Sequence, residues 1–453
     1  MGVLEIHSKP SKDDSPKLRD ARLALLDAFI FPEIGKKKAF WSRLKGAHAL
    51  TTEEAQTKVT DKLADSKIVC GDASESFKTV EDFLLPERIR NQYFRLELAK
   101  VWLSFPKHTG NEPPIPPKRR LPKHLCEVFL TVYPSVSVAI LMLNIELSKC
   151  DVDDLIMLQQ SSGEKRQGKS QINVFFKKED VQPSKMSLHE LATVHYINPI
   201  LKAFNGREKS ATPEIPHNQA RCIEICGFSG SGSSAKSIPG KYCRQLYGLL
   251  AMDEGWRFVP VETAKDRMQL GWRTRDFFNV IAFEETVAVI NLEQRVHYKY
   301  VTSQRQLKIE YDHEPEPYFE FPTKIAGLKN GALLMLENAF LQLFIIEQFS
   351  EKFKKKGKSI RKIEMFREEL LTAFQNLSCI NIPEIDLLER KVLKAMKVSK
   401  VKKELQNKLE QVEDSLVLKY NQRFNRLILW LTVVGTIVAV LTILNGIGVI
   451  PKI

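Results

Sequence analysis

The sequence predicts an α+β body, ferredoxin-like or a related α/β sandwich, followed by a long-helix stalk and one C-terminal transmembrane helix. Three observations carry that expectation. Leu427 to Ile450 contains no charged residue, and a helix of that length reaches about 36 Å at ~1.5 Å per residue, enough to cross a hydrocarbon core of about 30 Å with some tilt. Upstream, runs rich in Val, Ile and Leu alternate with helical patterns between 125 and 292, as layered sheet-and-helix folds require. Between these parts, residues 384–430 hold neither Pro nor Gly, so no helix breaker separates the stalk from the span.

Composition narrows the class. A chain of 453 residues with 43% hydrophobic side chains has material for two or three folded units. The net charge is +13, with dense basic runs at 352–362 and 397–403. Basic runs beside a membrane segment serve topology or anionic lipid, and no aromatic-rich strand motif or zinc-ligand spacing points to nucleic acid. The seven cysteines are odd in number and irregular in spacing, which fits a reducing compartment. Cys222 and Cys226 are too isolated to form half a zinc site. The N-terminus shows no apolar signal region.

In chain order, residues 1–105 read as a mainly helical region of short helices that ends in a strand over 94–105. Thr51-Thr52-Glu53-Glu54 looks like a helix start with acids in the first turn. Residues 106–122 form a Pro-rich connection, whose Pro114-x-x-Pro117-x-Arg119 also matches a polyproline ligand. The α/β domain spans 123–327. Its expected elements are a strand pair, Val128 to Val132 and Val136 to Leu147; a helix from Asp151; and a strand over Ile172 to Phe176. A helix opened by the Ser187/Glu190 capping box follows, then a strand at Ile223 to Cys226, a helix over Tyr242 to Met252, and two strands around Glu284-Glu285. The stalk occupies 328–426. Leu328 to Phe353 is strongly apolar but interrupted by Glu337, Asn338, Gln342 and Glu347, which marks a buried helix and not a second span. Another helix is expected over 363–377.

The last helix carries an apolar stripe. Val398, Val401, Leu405, Leu409, Val412, Leu416 and Tyr420 recur at 3-4-4 spacing, an eleven-residue period of about 3.67 residues per turn that keeps the stripe nearly straight. Phe424 and Leu427 extend it into the span at 427–450. Such a seam either meets a second copy, making a homo-oligomer, or packs on the chain's own helices. Lys408, Lys419, Arg423 and Arg426 precede the span and only Lys452 follows it, which orients a single-pass protein with its N-terminus cytoplasmic.

Residues that could carry chemistry are few. Gly230, Gly232, Lys236 and Ser237 resemble a phosphate-binding loop, but Ala235 stands where the last glycine belongs and Pro239-Gly240 breaks the helix that should follow. His189 and His195 are six apart and so lie on different helix faces, unlike a zinc pair. No nucleophile motif is present, and no enzyme is expected. Within the span, Thr432, Thr436, Thr442 and Asn445 are the polar positions.

The long charged helix running without break into Leu429 to Gly448 (LWLTVVGTIVAVLTILNGIG) resembles the CorA family of divalent-cation transporters. That likeness implies a homo-oligomer with a cytoplasmic regulatory domain, a pore lined by the span, and passage of a divalent cation such as Mg²⁺. It makes Thr432, Thr436, Thr442, Asn445 and Gly446 the pore candidates. Asn445-Gly446-Ile447 stands where the family carries Gly-Met-Asn, and no second span follows before Ile453. The alternative is a single-span, membrane-anchored sensor or effector whose α/β domain binds a nucleotide or protein partner without transport.

Overall fold

The structure, a computed structural model, describes residues 20–31, 51–66, 68, 70–72, 92–104, 123–148, 150, 152–162, 171–205, 219–225, 238–253, 255–268, 271–275, 278–291, 321–356, 364 and 383–446. The chain divides into two compact units. The first comprises Met1–Glu347 and Ala373–Val398; the second comprises Gln348–Thr372 and Ser399–Ile453. The Pro-rich connection at 106–122, the Gly/Ser loop at 230–237 and all but Glu364 of the helix expected at 363–377 lie outside the described residues.

The first unit is built on one mixed sheet. Its strands are β1 (Asp20–Ile30), β2 (Cys70–Asp72), β3 (Phe94–Ser104), β4 (His124–Tyr133), β5 (Val138–Ser148), β6 (Ile172–Phe175), β7 (Ser184–Met186), β8 (Gln219–Ile225), β9 (Gly271–Arg275), β10 (Phe278–Phe283) and β11 (Thr286–Asn291). They lie in the order β7-β6-β3-β4-β5-β1-β8-β11-β10-β9, with β2 also on β3. Among the described strands only the β8–β11 pairing is parallel.

The expected strand pair is a hairpin, turning at Tyr133–Val138 with Ser137 at φ 55°. The second hairpin turns where expected, with Glu284 at φ 50°. Both helix starts are present as full capping boxes, Thr51 with Glu54 and Ser187 with Glu190. In each, the hydroxyl accepts from the third backbone N–H of the helix while the carboxylate accepts from the cap's own N–H.

Both faces of the sheet are buried, and each has its own cover. Leu23, Leu25 and Phe29 of β1, with Leu141, Leu143 and Ile145 of β5 and Val128 and Leu130 of β4, belong to one core cluster. Helices α1 (Thr52–Asp65), α2 (Val152–Gln160), α3 (188–205), α4 (Ile238–Lys241), α5 (Cys243–Ala251) and α6 (Val261–Arg267) contribute apolar side chains to that same cluster. Because strand side chains alternate, Leu26, Ala28, Phe129, Ile140 and Met142 point the other way, and they too are buried. Glu337 of helix α7 (Phe321–Lys356) reaches that second face. There Arg95 of β3 donates to Glu337 at 2.7 Å. Helix α8 (Pro383–Ala395) packs on β9 and β10.

Three expectations are corrected. Residues 20–30, read as helical, form β1 in the middle of the sheet, between β5 and β8. The run DARLALLDAFI is rich in helix formers, but a strand buried on both faces is uniformly apolar and loses the alternation that would betray it. The ferredoxin-like βαββαβ order is not the one observed. Consecutive strands β3, β4 and β5 pair antiparallel as direct neighbours in the sheet. Finally, the last helix does not run unbroken from Glu384. Lys397 adopts φ 57° and separates α8 from α9 (Val398–Gly446), a left-handed residue that neither Gly nor Pro announced.

Candidate functional site

The longest element, α9, has 49 residues, about 74 Å at ~1.5 Å per residue. Its two halves differ sharply in burial. At its start Val398, Leu405 and Leu409 are buried and Val401, Val412 and Leu416 half-buried, so this part of the 3-4-4 stripe is covered within the single chain. From Val417 to Thr442 every residue is exposed, including Leu429 at 64%, Trp430 at 68% and Leu431 at 63%. Tyr420, Phe424 and Leu427 continue the stripe as exposed side chains, with no cover from the described residues. An exposed apolar surface of this extent marks a membrane or partner interface.

Two described helices are long and apolar enough to cross a membrane. The apolar stretch of α7 within Ala332–Glu351 is mostly buried, whereas the most apolar stretch of α9 is wholly exposed. The reading of α7 as a buried helix agrees with that placement.

The three threonines of the span are satisfied locally. Thr432, Thr436 and Thr442 donate their hydroxyls to the carbonyls of Ile428, Thr432 and Val438, at 2.9, 2.8 and 2.8 Å. This is the back-bonding that lets threonine enter an apolar helix without a partner. At about 100° per residue Thr432 and Thr436 share a face, Thr442 lies about 80° away from Thr432, and Asn445 about 140° away. The four therefore do not line one side. Asn445 and Gly446 lie within α9, but their side-chain surroundings fall outside the described residues. The weak phosphate-loop residues Gly230, Gly232, Lys236 and Ser237 also fall outside them.

The first unit holds buried polar groups that sequence reasoning did not single out. Asp27 of β1 is buried beside Arg221 of β8, and Gln219 donates to the Asp27 carboxylate and to the Ser162 carbonyl, both at 2.7 Å. Burial pushes the Asp27 carboxyl up to about 6, against the lowering influence of Gln219 and Arg221. Burial likewise lowers the Arg221 pKa, opposed by Glu285 and Asp27. On the other face the Arg95–Glu337 pair is almost fully enclosed, with side chains 2% and 1% exposed.

A third cluster joins α2 to the turn after α5. Asp153 accepts from the Trp256 indole at 3.0 Å and from both terminal nitrogens of Arg257, whose guanidinium lies 4.3 Å from the Trp256 ring centre. Asp153 sits in the first turn of α2, where the helix dipole already favours an acid, and its cross-element partners carry no local signal in the sequence.

Metal and acid–base candidates stay apart. Among the described residues no group of three or more His, Cys, Asp or Glu side chains could hold a metal ion. His195 packs its ring 4.9 Å from Phe176, and burial lowers its pKa. The Cys126 thiol is pushed far up by burial, with Glu127 adding to the effect. That is the condition of an inert core thiol. In comparison with known proteins, the chain matches no family model, no curated protein and no solved structure.

Proposed function

We propose that the chain is a single-span membrane protein in which α9 tethers a folded mixed α/β body to the bilayer. The carrying observation is the exposure of every residue from Val417 to Thr442 in a segment that is apolar from Leu427 onward. In water that surface would be costly, at roughly 25 cal/mol for each Å² of apolar area; in lipid it has its solvent. The body faces the cytoplasm, since Lys419, Arg423 and Arg426 lie on its side of the span. There it acts as a sensor or effector for a nucleotide or protein partner. The test is alkaline extraction of membranes bearing the full chain and a chain ending at Lys419. The full chain should stay in the pellet and the shortened one should leave it. Release of the full chain into the supernatant would overturn the tether.

A second reading takes the tether as the wall of a pore. Tyr420, Phe424 and Leu427 prolong the stripe as exposed apolar groups, a surface suited to a second copy of the same helix. In this CorA-like reading a homo-oligomer passes a divalent cation such as Mg²⁺, with Asn445 at the far mouth. The support is the exposed seam and the resemblance in the span; the threonine hydroxyls, spent on their own helix, add none. Oligomer size in mild detergent and cation flux in liposomes test it, together with Asn445→Ala. A monomer, or absence of flux, leaves the sensor or effector reading.

A further inference from the structure

Lys419, Arg423, Arg426 and Trp430 follow one another at spacings of four, three and four. At about 100° per residue they fall in a band roughly 60° wide along one side of α9. All four are exposed. None of the three cations has an ion-pair partner among the described residues, whereas higher on the helix Lys400 pairs with Glu404 at 3.9 Å. No Asp or Glu occurs between Asp414 and the end of the span, and Asn421 and Asn425 occupy the opposite side of the same turns. The column is therefore purely cationic and one-sided, and it ends in an indole.

The depth of these groups matches a lipid headgroup layer. Taking Leu427 as the start of the apolar core, Arg426, Arg423 and Lys419 stand about 1.5, 6 and 12 Å below it, and Trp430 about 4.5 Å above, at ~1.5 Å per residue. The polar layer of each leaflet is about 5–8 Å thick. Both guanidiniums thus lie among phosphates, the lysine reaches back toward them, and the indole sits at the interface that tryptophan prefers.

We propose that this column binds the headgroups of anionic phospholipids, with Arg423 and Arg426 forking onto phosphate oxygens and Lys419 as the outer charge. Arginine offers paired N–H donors that match phosphate geometry. A zwitterionic headgroup brings its own cation, and the column has no carboxylate to receive it. The discrimination therefore follows from the missing acids as much as from the bases present. The inference rests on α9 crossing the bilayer, and it adds the lipid class that the crossing recruits.

The experiment uses the purified full chain reconstituted into phosphatidylcholine vesicles, with trace spin-labelled phosphatidylglycerol or phosphatidylcholine. The fraction of each label immobilised by the protein is read by electron spin resonance. Near an anionic surface each basic residue is worth about fivefold in enrichment, so the wild-type chain should favour phosphatidylglycerol by at least about fivefold, less at high salt. The K419Q/R423Q/R426Q chain should hold both labels alike. Equal immobilisation of the two lipids by the wild-type chain, or a preference that survives in the triple variant, overturns the proposal. Flotation of both chains with vesicles on a density gradient is measured alongside. A wild-type chain that fails to float defeats the tether itself, whereas chains that float without lipid preference defeat only the headgroup column.

Discussion

Asp27→Asn should stabilise the folded body at neutral pH and leave it nearly unchanged at pH 4. Asp27 is enclosed between β5 and β8, and desolvation holds its folded pKa at about 6 against an ordinary value of 3.8. The sign follows from proton counting. Between those values the folded protein binds the proton more tightly than the unfolded chain, so stability falls as pH rises through the window and is not regained above about 6. At about 1.36 kcal/mol per pH unit the loss approaches 3 kcal/mol, on the order of a hundredfold in the unfolding equilibrium. Asparagine keeps an oxygen that can accept from Gln219 but cannot ionise. The assay is urea unfolding of the full chain in mild detergent at pH 4, 5, 6 and 7.5, followed by tryptophan fluorescence. Wild type should lose stability from pH 4 to 7 relative to the variant. Parallel stability curves for the two chains, or a variant less stable at pH 7.5, would refute the idea that the carboxylate is held against its charge.

Three further outcomes follow from single contacts. Gly248→Ala would bring a methyl group to 2.6 Å from both Cβ and Cγ of Trp256, whose ring is pinned by Asp153 and Arg257. A cost of about 1–3 kcal/mol is expected, and an unchanged melting curve would contradict it. Arg95→Met should cost about 3–5 kcal/mol by stranding the Glu337 carboxylate in the core, and adding Glu337→Leu should recover most of that; denaturant midpoints of the two variants check the order. Thr432→Val with Thr436→Val should leave membrane retention and any cation flux unaltered, because each hydroxyl serves only the carbonyl four residues back. A fall in flux in that double variant would assign the threonines to a pore.

What could be read from the residues beforehand depended on how local the determinant was. The two capping boxes are complete within four residues, and the β4–β5 hairpin is set by Tyr133 to Ser137, so both were legible. Strand order was not. β1 joins residues near 25 to partners near 143 and 221, and no spacing in the sequence encodes which distant apolar run will flank it. Asp27 shares that limitation. A single acid in an apolar run reads as the polar side of a helix until both neighbouring strands are in place. The break at Lys397 was hidden because its left-handed backbone falls on a lysine, whose ζ-nitrogen lies 3.5 Å from Glu284, itself in the same backbone region.

The two long apolar helices show where local reading and tertiary structure meet. By length and composition α7 and α9 pass the same test for a membrane span, yet their polar atoms have opposite destinations. In α7, Glu337 reaches Arg95 on the sheet and Asn338 donates to Glu389 of α8 at 2.7 Å. Those groups need protein around them, and the helix is buried accordingly. In α9, the three threonine hydroxyls close back on their own helix, so these groups ask nothing of their surroundings except that they be apolar. A helix whose polar groups point outward to named partners is fixed in a core; one whose polar groups are all self-satisfied can be solvated by lipid chains on every side. The contrast between Glu337 and Asn338, which need a partner, and the three threonines, which do not, was already visible in the residue types before any partner was known.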